Sequence, residues 1–191
     1  MSCSLVGSEM CIRDSSYSDL LGREEIKLDM NSIESTLSGK RVLITGAGGS
    51  IGSELVKQCL TFKPAEIICQ DISEENIYKL EQYFSKVHSK TILKTVLASV
   101  NINNECEKVF SENHPHIVFH AAAYKHVSLV KLNPMKSIKD NIISTLIICK
   151  SAMKNYVKKV LLISSDKAVR PKNIMGASKK VSEMIWQACD D

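Results

Sequence analysis

Three stretches of this 191-residue chain carry residue types that could do chemistry beside a ligand. The first is Thr45-Gly46-Ala47-Gly48-Gly49-Ser50-Ile51-Gly52, which closes a β-branched run and opens an amphipathic segment. Glycine is required where a chain turns tightly, approaches a pyrophosphate, and packs a helix on a strand, and Gly46, Gly49 and Gly52 fill those places. The backbone N–H groups of the turn that Ser50 and Ile51 begin, with the helix dipole behind them, would then hold a diphosphate. An ordinary turn is the plainer alternative, and the order strand, loop, helix argues against it. Nineteen residues beyond Gly52, Asp71 ends the next β-branched run, where a carboxylate can accept both hydroxyls of an adenosine ribose. A helix-capping role is the alternative, and the two are compatible. A 2′-phosphate about 4 Å from that carboxylate would be repelled by roughly 4 kcal/mol at an effective dielectric of 20, so the expected cofactor is NAD rather than NADP.

The second stretch is His120-Ala121-Ala122-Ala123-Tyr124-Lys125-His126-Val127. Ala121, Ala122 and Ala123 at a strand's carboxyl end would let a flat cofactor lie against the backbone, although tight packing explains three alanines equally well. The polar residues after them belong in the ligand crevice or in a solvated loop. The third is Ser164-Ser165-Asp166-Lys167-Ala168-Val169-Arg170-Pro171, with Met175-Gly176-Ala177-Ser178-Lys179 beginning nine residues beyond Asp166. An adjacent acid and base can serve opposite faces of one substrate if their surroundings separate their pKa values. A surface Asp-Lys turn is the alternative.

Elements must bring these stretches together, and the apolar pattern supplies them. Short β-branched runs predict strands at 41–45, 66–70, 92–97, 116–121 and 159–164, with helices at 50–60, 74–87, 103–112, 134–155 and 174–188. That alternation predicts an α/β fold: a Rossmann-type doubly wound parallel sheet of order 3-2-1-4-5, cut before its last strand and before any second lobe. Residues 39–191 are the expected NAD-binding domain, and residues 16–38 an ordered lead-in outside the core. Residues 1–15 (MSCSLVGSEMCIRDS) lack periodicity and resemble translated sequencing-adapter sequence, so they are set aside as non-native.

Composition narrows the class. Hydrophobic residues make up 44% and charged residues 24%, which excludes a disordered tail, a collagenous fibre and a membrane bundle. A formal charge of +4 is too small and too scattered to imply a nucleic-acid groove. The seven cysteines show no CxxC pair and no zinc-like spacing, so they read as reduced thiols with no metal site. No apolar run is long enough to span a membrane.

These motifs carry a family resemblance over residues 17–188. DLLGRE at 19–24, TGAGGSIGSEL at 45–55, VFHAAAYKHV at 118–127 and, most specifically, SSDKAVRPKNIMGASKK at 164–180 resemble the catalytic domain of bacterial polysaccharide-biosynthesis nucleotide-sugar 4,6-dehydratases. These are extended short-chain dehydrogenase/reductases acting on UDP-N-acetylglucosamine. The resemblance implies hydride transfer from sugar C4 to NAD, removal of the C5 proton by Lys167, protonation of the departing C6 hydroxyl by Asp166, and return of hydride to C6. It implies that Lys179 holds NAD, that Ser165 hydrogen-bonds the C4 oxygen, that Lys125, His126 and Asn173 contact substrate, and that Asn141 supports the active-site helix. Met175 stands where most short-chain dehydrogenases have a phenol. A thioether cannot move that proton, the longer membrane-anchored members share the Met, and Asp166 acting through water is the first candidate to replace it. The third strand of the family usually ends in Gly-Asp-Ile/Val, whose Asp contacts adenine; here Ser99 and Val100 occupy that end. Ser144 stands where Gly is common and suggests no role. The resemblance further implies a homo-oligomeric intact protein tethered to the cytoplasmic face of the inner membrane, with this part making no membrane contact. Residues 1–191 alone are then expected to be poorly soluble or dimeric, and weakly active. A UDP-sugar C4 epimerase and a non-catalytic NAD-binding module are the competing readings.

Overall fold

A computed structural model describes residues 28–124, 130 and 132–190. Residues 33–191 form one compact unit. Its elements follow the βα alternation: α1 (Met30–Leu37), β1 (Arg41–Thr45), α2 (Ser50–Thr61), β2 (Glu66–Asp71), α3 (Glu74–Phe84), β3 (Ile92–Leu97), α4 (Asn103–Asn113), β4 (Ile117–His120), α5 (Pro134–Ile138), a π-helical turn (Lys139–Ile143), α6 (Ser144–Lys154), β5 (Lys159–Leu162), a 3-10 turn (Asp166–Ala168) and α7 (Ile174–Asp190). The five strands are parallel in the order β3-β2-β1-β4-β5, as the sequence predicts.

Side chains alternate across a strand, and the central strands use both faces. Val42 and Ile44 of β1, with Ile67 and Cys69 of β2, point to the side covered by α2 and α3, where Val56, Cys59 and Leu80 meet them. Leu43 and Ile68 point the other way, to Cys106, Val109 and Phe110 of α4 and Ile147, Ile148 and Ala152 of α6. All of these are buried, which explains why the central runs are continuously apolar rather than alternating. The edge strands are covered less completely: Ile92 and Leu97 on β3 and Leu161 on β5 are exposed.

The structure corrects the sequence reading at several places. The lead-in does contribute to the core: α1 buries Leu37 and packs Ile33 against it. One continuous helix was expected over 134–155, but a π-helical turn at Lys139–Ile143 divides it, because Asn141 is held by partners outside the helix. β4 and β5 end earlier than predicted, at His120 and Leu162, although Ala121 N–H still donates to Thr45 O at 3.1 Å and Ile163 N–H to His120 O at 3.0 Å. β2 runs one residue further, so Asp71 is its last residue.

Candidate active site

All strands point their carboxyl ends at one edge, so the three motifs converge there. At the glycine turn, Gly46 has φ +66, and a Cβ on it would lie 2.7 Å from Ala122 Cα. The turn from β1 and the alanines after β4 therefore touch backbone to backbone. A Cβ on Gly52 would drive into Gly46 O, so α2 can begin against the turn only with glycine there.

Asp71 fastens this turn to the next one. One carboxylate oxygen accepts from Gly48 N–H at 2.9 Å, and the other accepts from Ser73 N–H at 2.9 Å and Asn76 Nδ2 at 3.3 Å. The cap of α3 is Ser73, whose hydroxyl accepts from Asn76 N–H, so the capping alternative for Asp71 is replaced by an Asx turn. A carboxylate offers about four acceptor positions, which leaves Asp71 capacity for a ribose hydroxyl.

Gly46, Gly49, Asp71, Ser99, Val100 and Ala121–Ala123 line a cavity of about 370 Å³. Ser50 and Ile51 are exposed on the first turn of α2. Tyr124, expected in the crevice or a solvated loop, lines it as well, and residues that sequence reasoning left out add to the wall: Ile72, Asn76, Asn101, Lys136 and Asp140. Asn101 Nδ2 donates to Asp140 Oδ1 at 2.6 Å, while Asn101 Oδ1 and Asp140 Oδ2 are buried without a hydrogen-bond partner. Burial raises the Asp140 pKa against the opposing pull of Lys136 and Lys139. Lys136 and Asp140 lie one helical turn apart after the alanine run, which is the sequence signal that could have found them. The backbone close approach at Gly46, the cradle at Gly52 and the two unpartnered acceptors together fit a dinucleotide.

The second half of the site lies one strand along, beyond β5. Ser165 Oγ donates to Asp166 Oδ1 at 3.0 Å and accepts from Lys167 N–H at 3.3 Å. Lys167 Nζ lies 3.3 Å from the same Asp166 oxygen. The Ser165 hydroxyl, and then Lys167, hold the Asp166 carboxyl below the usual range. Met175 is buried. A Cβ on Gly176 would meet Lys167 O, so α7 begins against the dyad's own backbone. Asn173 caps that helix, its Oδ1 accepting from Gly176 N–H at 2.8 Å; this gives the expected substrate contact a structural task. Lys179 is buried, and its Nζ donates to Ile163 O at 2.8 Å. Burial pushes its pKa down to about 8, against a smaller upward pull from Glu183.

A polar seam joins the halves. Asn141 Oδ1 accepts from Tyr124 N–H at 2.9 Å, and its Nδ2 donates to Tyr124 O at 3.3 Å and to Ser178 Oγ at 2.9 Å. Its carbonyl accepts from the hydroxyls of Thr145 and Ser182 at 2.7 and 2.9 Å. The alanine loop, the π-helical turn and α7 are thereby tied together through Asn141. Ser144, for which the sequence suggested nothing, has its Oγ 3.4 Å from His120 Nε2, while Thr45 Oγ1 lies 2.7 Å from His120 Nδ1. Burial, then the charge of Lys179, pushes the His120 pKa down to about 3, so this ring is neutral and serves as a bridge. Lys125 and His126 lie outside the described residues.

A parallel sheet of this order, with a glycine turn at its first strand and a cavity at the strand ends, is a Rossmann-type domain of the short-chain dehydrogenase/reductase kind. The family described as polysaccharide biosynthesis protein matches residues 42–191, and the chain belongs to that family. The capsular polysaccharide biosynthesis protein CapD of Staphylococcus aureus is 42% identical over 174 residues, 91% of this chain and 29% of that protein. A UDP-N-acetylglucosamine 4,6-dehydratase (inverting) of Campylobacter jejuni is 32% identical over 155 residues, 81% of this chain and 45% of that one. Among solved structures, the UDP-glucose 4-epimerase of Bifidobacterium longum in complex with NAD+ and UDP superposes with a TM-score of 0.67 at 27% identity, covering 78% of this chain and 48% of that one. The chain thus spans less than half the length of these relatives. The relatives that carry a named activity are a nucleotide-sugar dehydratase and nucleotide-sugar epimerases. Among the described residues no helix is long and apolar enough to cross a membrane.

Proposed function

We propose that the protein carrying this domain performs an NAD-dependent 4,6-dehydration of UDP-N-acetylglucosamine, giving a 4-keto-6-deoxy sugar for polysaccharide or glycan synthesis. The observation that carries the reading is the joint at the end of β5. Gly176 packs on the Lys167 carbonyl and Lys179 Nζ binds Ile163 O, so Ser165, Asp166, Lys167 and Lys179 are presented from a single rigid corner next to the strand whose alanines line the cavity. Gly46, Gly49, the first turn of α2, Asp71 and Ala121–Ala123 would hold the dinucleotide, with Ser99 and Val100 at the adenine end. Bound there, NAD would supply a hydride acceptor at sugar C4 and a donor at C6, leaving no net redox change.

This chain's residues would do the proton work. Ser165 Oγ holds the C4 oxygen, Lys179 orients the cofactor, Lys167 takes the C5 proton, Asp166 delivers one to the departing C6 hydroxyl, and the proton that Lys167 took is restored to C5 as hydride reaches C6. That division needs Lys167 neutral and Asp166 protonated, the reverse of the exposed ion pair they form here. Substrate binding must therefore separate the pair and exclude water from it, since a drier site disfavours both charges. Lys125, His126 and Asn173 are the candidate substrate contacts, and Asp166, first as a carboxylate acting through one retained water, is the candidate to take the C4 hydroxyl proton that Met175 cannot move, which leaves it protonated as the acid for C6. An epimerase shares the NAD chemistry, but it has no need of the Asp166-Lys167 pair and normally keeps the phenol that Met175 replaces.

Lys167→Met tests the assignment in the intact protein. Turnover of UDP-N-acetylglucosamine should fall far more than tenfold while NAD affinity is kept. A loss within about tenfold, roughly 1.4 kcal/mol, would remove Lys167 as the base.

A further inference from the structure

The end of the sheet opposite this site carries charge that the dehydration chemistry does not use. Parallel strands all begin at one edge, so the residues opening β1, β4 and β5 become neighbours. Arg41 N–H donates to His116 Nδ1 at 3.0 Å, and the N–H groups of Lys158 and Lys159 reach His116 O at 3.0 and 3.3 Å. Lys40, His116, Lys158 and Lys159, with Ser35 and Thr36 of α1, line a cavity of about 310 Å³. Lys159 Nζ lies 3.5 Å from Thr36 Oγ1, so α1 closes one side of it.

Among the described residues this charge has no ion-pair partner. Several lysines elsewhere on the surface are paired, Lys57 with Glu54, Lys79 with Glu75, Lys154 with Glu107 and Lys180 with Glu183. Among the described residues, no carboxylate lies within ion-pair distance of Lys40, Arg41, Lys158 or Lys159. Glu66 faces Arg41 across the strand register and Glu34 stands on α1, yet neither bridges to the cluster. The local field registers on the imidazole: burial first, then Arg41, Lys40 and Lys158, hold His116 below its ordinary pKa. Because Nδ1 accepts the Arg41 N–H, the neutral ring carries its proton on Nε2, as a donor.

We propose that this cavity binds a phosphate group, held by the ammonium groups of Lys40, Lys158 and Lys159 with His116 Nε2–H and the Thr36 hydroxyl as hydrogen-bond donors. Donors arrive from β1, β4, β5 and α1, on several sides of the space. A phosphate, with acceptor oxygens pointing in several directions, can meet all of them, whereas a carboxylate's two oxygens cannot. Lysine binds such an anion as a point charge and so does not require the fork geometry of arginine. The phosphate could belong to a soluble ester or to a phospholipid headgroup on a membrane surface. This site is independent of the dinucleotide cavity, and the proposal does not rest on the dehydratase reading.

Calorimetric titration with inorganic phosphate, at ionic strength held constant with sodium chloride, compares the parent with Lys158→Gln/Lys159→Gln. Both lysines are exposed, and an unchanged melting temperature confirms the fold of the double variant. The part of the phosphate binding that belongs to this cavity should weaken by about tenfold or more in the variant, whatever binds at the glycine turn. Sedimentation with phosphatidylcholine vesicles, with and without phosphatidylglycerol, distinguishes the sources. Retention only on the phosphatidylglycerol vesicles, lost in the variant, assigns a lipid headgroup; phosphate binding without retention assigns a soluble ester. Phosphate binding and vesicle retention that are both absent, or both unchanged by the double substitution, would overturn the proposal.

Discussion

Gly52 has the least freedom of any residue in the site. A methyl group there meets the Gly46 carbonyl, backbone that cannot swing aside, so Gly52→Ala must shift the start of α2 away from the turn. NAD affinity, measured by titration, is expected to fall by about a hundredfold or more, equivalent to about 3 kcal/mol, while far-ultraviolet circular dichroism stays native; unchanged affinity would mean that the turn does not hold the diphosphate. Lys179 gives a pH signature. Its folded pKa of about 8 lies below the ordinary lysine value of 10.5, so between those values the unfolded chain binds more protons and stability rises with pH. The stability difference between the parent and Lys179→Met should therefore grow by about 3 kcal/mol from pH 8 to 10.5, and a flat difference by denaturant titration would contradict its burial as a charged group. The glycines, Asp71, the alanines and the Asp-Lys pair were legible in the sequence because each sits at a strand end in a recognisable order. Asn101, Asp140 and the His120–Ser144 bridge were not, because their meaning depends on contacts between residues 24 to 39 positions apart.

The alternation of strands and helices was legible because buried parallel strands are short, apolar and β-branched, while the covering helices repeat every three to four residues. Their ends were less so. A π-helical turn has no composition of its own, and Lys139–Ile143 continues the apolar periodicity of its neighbours, so only Asn141's bonds to Tyr124 and Ser178 reveal why the helix opens there. Leu37 was missed because α1 is short and mostly exposed, with Leu37 its one fully buried side chain. Helix ends also store strain that can be released. Tyr156, just past α6, has φ +54 and is 91% exposed, and a left-handed conformation costs a non-glycine residue roughly 1–2 kcal/mol. Tyr156→Gly removes that cost and adds chain entropy to the unfolded state, so chemical denaturation should show a net gain of about 0.5 kcal/mol; a loss would show that the Tyr156 ring makes a stabilising contact.

Viewed together, the sheet presents two ends with separate chemistry. Its carboxyl edge gathers the glycine turn, the alanine wall and the Ser165-Asp166-Lys167 corner, tied together through Asn141. Its amino edge gathers cations around His116 that have no ion-pair partner among the described residues. The chain belongs to the polysaccharide biosynthesis protein family, and in the proposed function the choice between a dehydratase and an epimerase turns on the dyad and on Met175. Mass tells them apart. The intact protein, supplied with NAD and UDP-N-acetylglucosamine, should yield a nucleotide sugar lighter by one water, with no net NADH. A product of unchanged mass inverted at C4, or no conversion at all, would contradict the account.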